Sequence, residues 1–92
     1  MSDDATPRTL PPEALDEWAT VLRESFGLEP EQVPVSLVLA LAGHVAHSVA
    51  RPAAPLSAFV AGLVAGRNGA DPASIEVATR AVTELAARWP RT

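Results

Sequence analysis

The sequence predicts an all-α protein, a single compact four-helix domain with short loops marked by proline and glycine. Apolar residues recur at helical spacing in four segments, and the nine prolines lie outside the interiors of those segments. No segment alternates polar and apolar residues as a strand does. The length of 92 residues suits one domain. We therefore expect a flexible acidic N-terminus over residues 1–10 and the helical domain over residues 11–90.

The first two predicted helices, residues 12–26 and 36–50, each have one apolar face. In the first helix this face consists of Leu15, Trp18, Leu22 and Phe26. We expect Trp18 to be substantially buried, and Gly27 to end the helix because glycine readily adopts the left-handed conformation. In the second helix the face consists of Val38, Leu41, Ala42, Val45 and Val49, and it is widened by Leu37 and Leu39. The second helix is therefore expected to be central and the most buried.

The third and fourth predicted helices are residues 55–66 and 72–89. The expected core face of the third consists of Leu56, Phe59, Val60 and Leu63. Its Gly62 and Gly66 predict close approach by a neighbouring helix, because small residues four positions apart leave a smooth groove. The expected core face of the fourth consists of Ile75, Ala78, Val82, Leu85, Ala86 and Trp89. Asp71 is expected to cap the fourth helix, with a proline at its first position.

Two further local signals accompany the last two helices. The dipeptide Asn68-Gly69 predicts a sharp turn with positive φ between them. Along the fourth helix, acidic and basic residues four positions apart predict two stabilising ion pairs, Glu76–Arg80 and Glu84–Arg88. Neither signal requires a functional interpretation.

The charge distribution excludes some classes of function. The net charge is −4, and residues 1–31 hold eight acids and two arginines, a net charge of −6. So acidic a domain is not expected to bind nucleic acid, because binding to phosphates requires a basic face. The chain has no cysteine, which excludes disulfides and thiolate metal sites. All seven basic residues are arginine, which together with the abundant alanine suggests a bacterial genome rich in GC.

The uncharged stretch from residue 33 to residue 50 raises the question of a membrane span. Its helical part has about 15 residues, whereas a bilayer requires roughly 20. The acidic N-terminus also lacks the apolar region of a secretory signal peptide. We therefore expect a cytoplasmic protein that does not enter a membrane.

The segment HVAHSVARPAAP, residues 44–55, is the most distinctive part of the sequence. On a helix it places His44, His47 and Arg51 on one side, away from the apolar face. Four interpretations compete: histidines that bond locally on a half-buried face, a metal site, acid–base catalysis, and a site for an anion or a polar partner.

The metal and catalytic interpretations lack the necessary residues. No carboxylate lies between Gln32 and Ala70, and Arg51 would repel a cation bound by the two histidines. Ser48 and Ser57 are available as nucleophiles, but neither lies in a known nucleophile motif. We therefore expect no metal, no cofactor and no catalytic residues.

The binding interpretation rests on the turn after Arg51. The proline that follows Arg51 disfavours helix there, and a helix beginning at Pro55 would have Ala54 as its cap, which offers no side-chain acceptor. The first free amides would then be those of Leu56 and Ser57, a position suited to an anion. The candidate anion- or partner-binding residues are Arg51, His47, His44, Leu56 and Ser57. In the structural alternative, Arg51 pairs with an acid of the first helix, Glu17 or Glu24.

Two segments resemble a known family. VAHSVARPAAPLSAFVAGLVAG, residues 45–66, and LDEWATVLRESFGL, residues 15–28, resemble the signature of a small bacterial domain of unknown function. That domain is found free-standing or fused to MobA-like nucleotidyltransferases of molybdenum-cofactor biosynthesis, and the resemblance extends over residues 15–87. His47, Arg51, Pro52 and Pro55 match the family motif, whereas His44 replaces an expected acidic residue.

The resemblance implies an association with the attachment of a nucleotide to molybdopterin. The glycine-rich nucleotide loop and the magnesium-binding acids of the transferase are absent from this sequence. The expected function is thus a non-catalytic accessory module in the biosynthesis of molybdopterin guanine dinucleotide. It would bind the MobA-like nucleotidyltransferase, or a phosphorylated pterin or nucleotide, near Arg51. One alternative is a homodimeric interaction protein of an unrelated pathway, paired through the helix of residues 55–66, and another is an enzyme that uses the histidines.

Overall fold

The computed structural model describes residues 12–90. It contains four α-helices and one short 3-10 helix: α1 (Pro12–Phe26), the 3-10 helix (Pro30–Gln32), α2 (Val35–Ser48), α3 (Ala53–Arg67) and α4 (Pro72–Ala87). The predicted all-α, single four-helix domain is confirmed, and residues 12–90 contain no strand. The N-terminal segment that we expected to be flexible, residues 1–10, lies outside the described residues.

Local hydrogen bonds fix the end of α1 and the connection that follows. Gly27 has a φ of 67°, and the next N–H, that of Leu28, donates to the Arg23 carbonyl at 2.9 Å. The predicted left-handed stop is therefore confirmed. The Gln32 side chain accepts from the Glu29 N–H at 2.9 Å and donates to the Ala70 carbonyl at 3.0 Å. These bonds tie the 3-10 helix, which the sequence did not predict, to the turn between α3 and α4.

The turn between α3 and α4 differs from the prediction at one residue. Gly69 has the expected positive φ, 104°, but the second positive φ belongs to Ala70 at 59°, whereas Asn68 is at −107°. The Asn68 side chain instead donates to the Val64 carbonyl at 2.9 Å and closes the end of α3. The Asp71 cap of α4 is confirmed, since its carboxylate accepts from the Ser74 N–H at 2.8 Å.

The core lies between α2, α3 and α4, which all pack against one another. Its central residues are Leu41, Val45, Ala61 and Ala86, with Val49, Ala53, Ala58 and Val82 around them. α3 and α4 contribute mainly alanines to this core. Alanine lets two helix backbones approach closely, so the three helices pack tightly while burying few large side chains.

The predicted core face of α3 is wrong. Leu56, Phe59, Val60 and Leu63 point to solvent, and the face toward α2 and α4 consists of Ala54, Ala61 and Ala65. The physical reason is that α3 is apolar on both sides, so periodicity does not distinguish the inner face from the outer. On α4, Leu85 is exposed while Ala78 and Ala86 are buried, and Trp89, which lies beyond the end of the helix at Ala87, is also exposed.

The predicted burial of Trp18 is also wrong, because its side chain is 56% exposed. Within residues 12–90, α1 packs on the other helices far less than α2, α3 and α4 pack on one another, and Trp18 lies on a part of its apolar face that they leave uncovered. The molecule is accordingly flat, with extents of 45 × 35 × 17 Å. Ala19 is the only buried residue on α1 among the positions whose burial is described.

Candidate functional site

The two histidines lie on an exposed side of α2. His44 and His47 border a shallow depression with Ala40, Gly43 and Ser48. The His44 Nδ1 lies 3.1 Å from the Ala40 carbonyl oxygen, one turn earlier on the same helix. This contact is the local bonding that the first interpretation expected for His44, but both histidines are exposed rather than half-buried.

The surroundings of the histidines contain few ligands for a metal. Within residues 12–90, no group of three His, Cys, Asp or Glu side chains comes together. Glu76 borders a second depression with His44, but its carboxylate pairs with Arg80 at 3.1 Å. That ion pair was predicted, whereas Glu84 and Arg88 form none. The absence of a bound metal stays a prediction.

Arg51 lies in the corner between α2 and α3, with its side chain exposed. It forms no ion pair with an acid of residues 12–90, and so does not bridge to Glu17 or Glu24 of α1. The guanidinium group is therefore available to a partner on this side of the molecule.

The beginning of α3 differs from the expectation on which the anion site rested. The helix starts at Ala53 rather than Pro55, and its first amides are already bonded: Ala53 donates to the Ala50 carbonyl at 3.0 Å and Ala54 to the Arg51 carbonyl at 3.1 Å. The two prolines of this turn have no N–H. Leu56 and Ser57, the fourth and fifth residues of α3, lie beyond the first turn. The corner thus offers an anion the Arg51 side chain but no cluster of free amides.

Leu56 and Ser57 border a different feature, a groove between α3 and α4 that the sequence did not predict. We call it the α3–α4 groove; its volume is about 440 Å³. It is lined by Val49, Ala53, Leu56, Ser57, Val60, Val82, Leu85, Ala86 and Trp89. Arg51 lies between Val49 and Ala53 in the sequence but does not line the groove. The signal that could have revealed it is the second apolar face of α3.

The predicted site residues thus divide into three places. His44 and His47 share the depression on α2, Leu56 and Ser57 share the α3–α4 groove, and Arg51 lies in the corner between α2 and α3.

The opposite side of α3 carries the two glycines. Gly62 and Gly66 border a cavity of about 240 Å³ toward the start of α2 and α4. No atom of the described chain lies within 4 Å of the position that a Cβ would occupy at either glycine. The expected close approach by a neighbouring helix is therefore not made within residues 12–90.

These features define a small all-α domain whose buried residues are mostly alanine around Leu41 and Val45, and many of whose large apolar side chains are exposed. A family model described as domain of unknown function DUF6457 matches residues 10–92, and the chain belongs to this family. No curated protein and no solved structure matches the chain. None of the described helices has both the length and the apolar character that crossing a membrane requires.

Proposed function

We propose that this chain is a non-catalytic binding module that docks on a partner protein through the α3–α4 groove. The observation that supports this proposal is the exposure of Leu56, Leu85 and Trp89 around one groove. Contiguous apolar surface of this kind on a small domain marks an interaction site, because leaving it in water costs free energy.

The composition of the groove favours a protein over a small anion. A tryptophan beside leucine and valine matches the residues that contribute most binding energy at protein interfaces. A phosphate group, by contrast, would find only the Arg51 side chain, since the first amides of α3 are already bonded. A phosphorylated pterin or nucleotide is therefore the second candidate ligand at this corner.

The family resemblance supplies the identity of the proposed partner. It points to a MobA-like nucleotidyltransferase, to the biosynthesis of molybdopterin guanine dinucleotide, and to a bacterial cytoplasm. The surroundings of the histidines favour a module without catalysis of its own. Both rings are exposed, and the described part of the chain contains no hydrogen bond from either histidine to a serine.

Arg51→Ala tests whether the corner between α2 and α3 takes part in binding. Loss of a charge-assisted hydrogen bond should weaken binding to the purified nucleotidyltransferase by about tenfold. The melting temperature should remain unchanged, because Arg51 is exposed and pairs with no described acid. Calorimetric titration with the transferase, and separately with inorganic phosphate and guanosine monophosphate, distinguishes a protein partner from an anion. Unchanged affinity for all three, together with a lowered melting temperature, would show a structural role instead.

A further inference from the structure

We infer that the cavity bordered by Gly62 and Gly66 binds a small uncharged molecule that consists of an apolar ring system with one polar group. We call it the three-helix cavity, because α2, α3 and α4 all line it. The inference goes beyond the proposed function, since it concerns a different cavity and a ligand of different chemistry.

The three-helix cavity is enclosed by four parts of the chain. α2, α3 and α4 each provide one wall, and the connection between α1 and α2, which contains the 3-10 helix, provides the fourth. Its innermost residues belong to the interior of the domain: Leu41, Ala61, Ala65 and Thr79 are only 2%, 3%, 4% and 4% exposed. The cavity therefore reaches between the packed helices and is more than a depression of the surface.

The lining of the cavity favours an uncharged and mainly apolar ligand. Among the described residues that line it, none has a charged side chain, and only Gln32 and Thr79 have polar ones. A phosphate or carboxylate group would lose its hydration there without gaining a partner of opposite charge. Water is also held poorly, because an enclosed water requires two to four polar partners. An apolar ring that displaces this water gains free energy by leaving the solvent.

Gln32 and Thr79 leave room for one polar group on the ligand. The Gln32 side chain accepts from the Glu29 N–H at 2.9 Å and donates to the Ala70 carbonyl at 3.0 Å. Its amide has two hydrogens and its oxygen two lone pairs, so one of each has no partner in the described chain. The Thr79 hydroxyl donates to carbonyls of its own helix and can therefore only accept from a ligand.

The volume of the cavity suits one or two fused rings. It measures about 240 Å³. An apolar cavity of about 150 Å³ already binds benzene, whereas drug-sized molecules occupy pockets of roughly 300–1,000 Å³. A molecule of about the size of indole lies between these limits.

Gly62 and Gly66 keep the mouth of the cavity open. Both glycines border the cavity and both are exposed, so they lie where it meets the solvent. No atom of the described chain lies within 4 Å of the Cβ that a larger residue would have at either position. Alanine is the better helix former and would fit at both. Side chains at these positions would narrow the entrance.

Titration with indole, followed by the backbone amide signals in heteronuclear NMR, tests the site. Indole is uncharged and has one N–H, and indole-3-carboxylate is the matched control with the same rings and a charge. Indole should shift the amide signals of Leu41, Ala65 and Thr79, and the carboxylate should bind about tenfold or more weakly. Absence of shifts at about 5 mM indole, or equal affinity for the carboxylate, overturns the inference.

Gly62→Leu and Gly43→Leu are a matched pair of variants. Both glycines are exposed inside a helix with open space at the Cβ position, but Gly43 borders the depression of the histidines. Gly62→Leu should bind indole about tenfold or more weakly, whereas Gly43→Leu should keep the wild-type affinity. Gly66→Leu narrows the same mouth and is the second variant, with the same expected loss. Circular dichroism checks that each variant is folded, and equal indole affinity in all the folded variants contradicts the inference.

The two proposals fail separately. Gly62→Leu should keep its affinity for the nucleotidyltransferase, because Gly62 does not line the α3–α4 groove. Trp89→Glu should keep its affinity for indole, because Trp89 does not line the three-helix cavity. Loss of indole binding in Trp89→Glu, with shifts confined to Leu85 and its neighbours in the groove, would place the ligand in the groove and overturn the inference.

Discussion

Asp71 fixes the first turn of α4 with its carboxylate. Hydrogen bonding to Ser74 lowers the pKa of Asp71 below its ordinary value. The Ser74 N–H donates to the Asp71 carboxylate at 2.8 Å, and the Ser74 hydroxyl donates to the Asn68 carbonyl at 2.7 Å. The ionised form is therefore the one that stabilises the folded state.

The lowered pKa predicts how stability depends on pH. The stabilisation of the folded state by ionised Asp71 is fully present above the pKa that Asp71 has in the unfolded chain. It is lost as the pH falls through the lower pKa that Asp71 has in the folded chain. Asp71→Asn keeps a capping oxygen but removes this titration. Thermal melts between pH 7 and pH 3 should show that the wild type loses more stability than Asp71→Asn on acidification. Parallel curves for the two proteins would contradict the prediction.

At single residues, sequence reasoning predicted local conformation better than it predicted the site. Gly27 and Asp71 were assigned correctly because a positive φ and a helix cap depend on a few neighbouring atoms. The prediction of free amides at Leu56 and Ser57 was wrong, because α3 begins two residues earlier than expected. In the consecutive turns at residues 50–54, backbone carbonyls accept hydrogen bonds from the N–H groups that would be free at the start of an isolated helix.

At the scale of the helices, the orientation of α3 is the feature that could not be predicted from the sequence. The prolines and caps marked where the helices begin and end, so the all-α architecture was predictable. The side of α3 that faces inward was not predictable, because both sides are apolar: leucine and phenylalanine lie on one side and alanine on the other. The structure buries Ala61 and Ala65 and leaves Phe59 outside. Close packing of three backbones decided the orientation, and hydrophobic periodicity carries no information about it.

Glycine substitutions test the helices independently of any partner. Gly43 lies inside α2, is exposed, and has no atom within 4 Å of a built Cβ. Gly43→Ala should raise the free energy of unfolding by about 0.5–1 kcal/mol, since alanine is the better helix former. Gly69→Ala is the matched control: its site is equally open, but a φ of 104° strains any other residue, so this variant should be less stable. Urea denaturation measures both, and equal effects would contradict the account.

At the scale of the whole molecule, the chain has more apolar surface than its own helices cover. Within residues 12–90, thirteen large apolar side chains are exposed, on all four α-helices, on the connection after α1 and just after α4. A domain of this size buries a smaller fraction of its surface than a large one, and here the buried fraction consists mostly of alanine. The account therefore assigns one of these apolar surfaces, the α3–α4 groove, to a partner protein.

The most direct test of the central claim, that the domain binds a partner protein through the α3–α4 groove, is a titration of three proteins into the MobA-like nucleotidyltransferase. These are the wild type, Trp89→Glu and Val77→Glu, which alter side chains of similar exposure, 55% and 60%. The account predicts equal Kd values for the wild type and Val77→Glu. For Trp89→Glu it predicts binding weaker by about thirtyfold or more, the effect of losing one dominant interface side chain. Undiminished binding by Trp89→Glu, or no binding by the wild type, would contradict it.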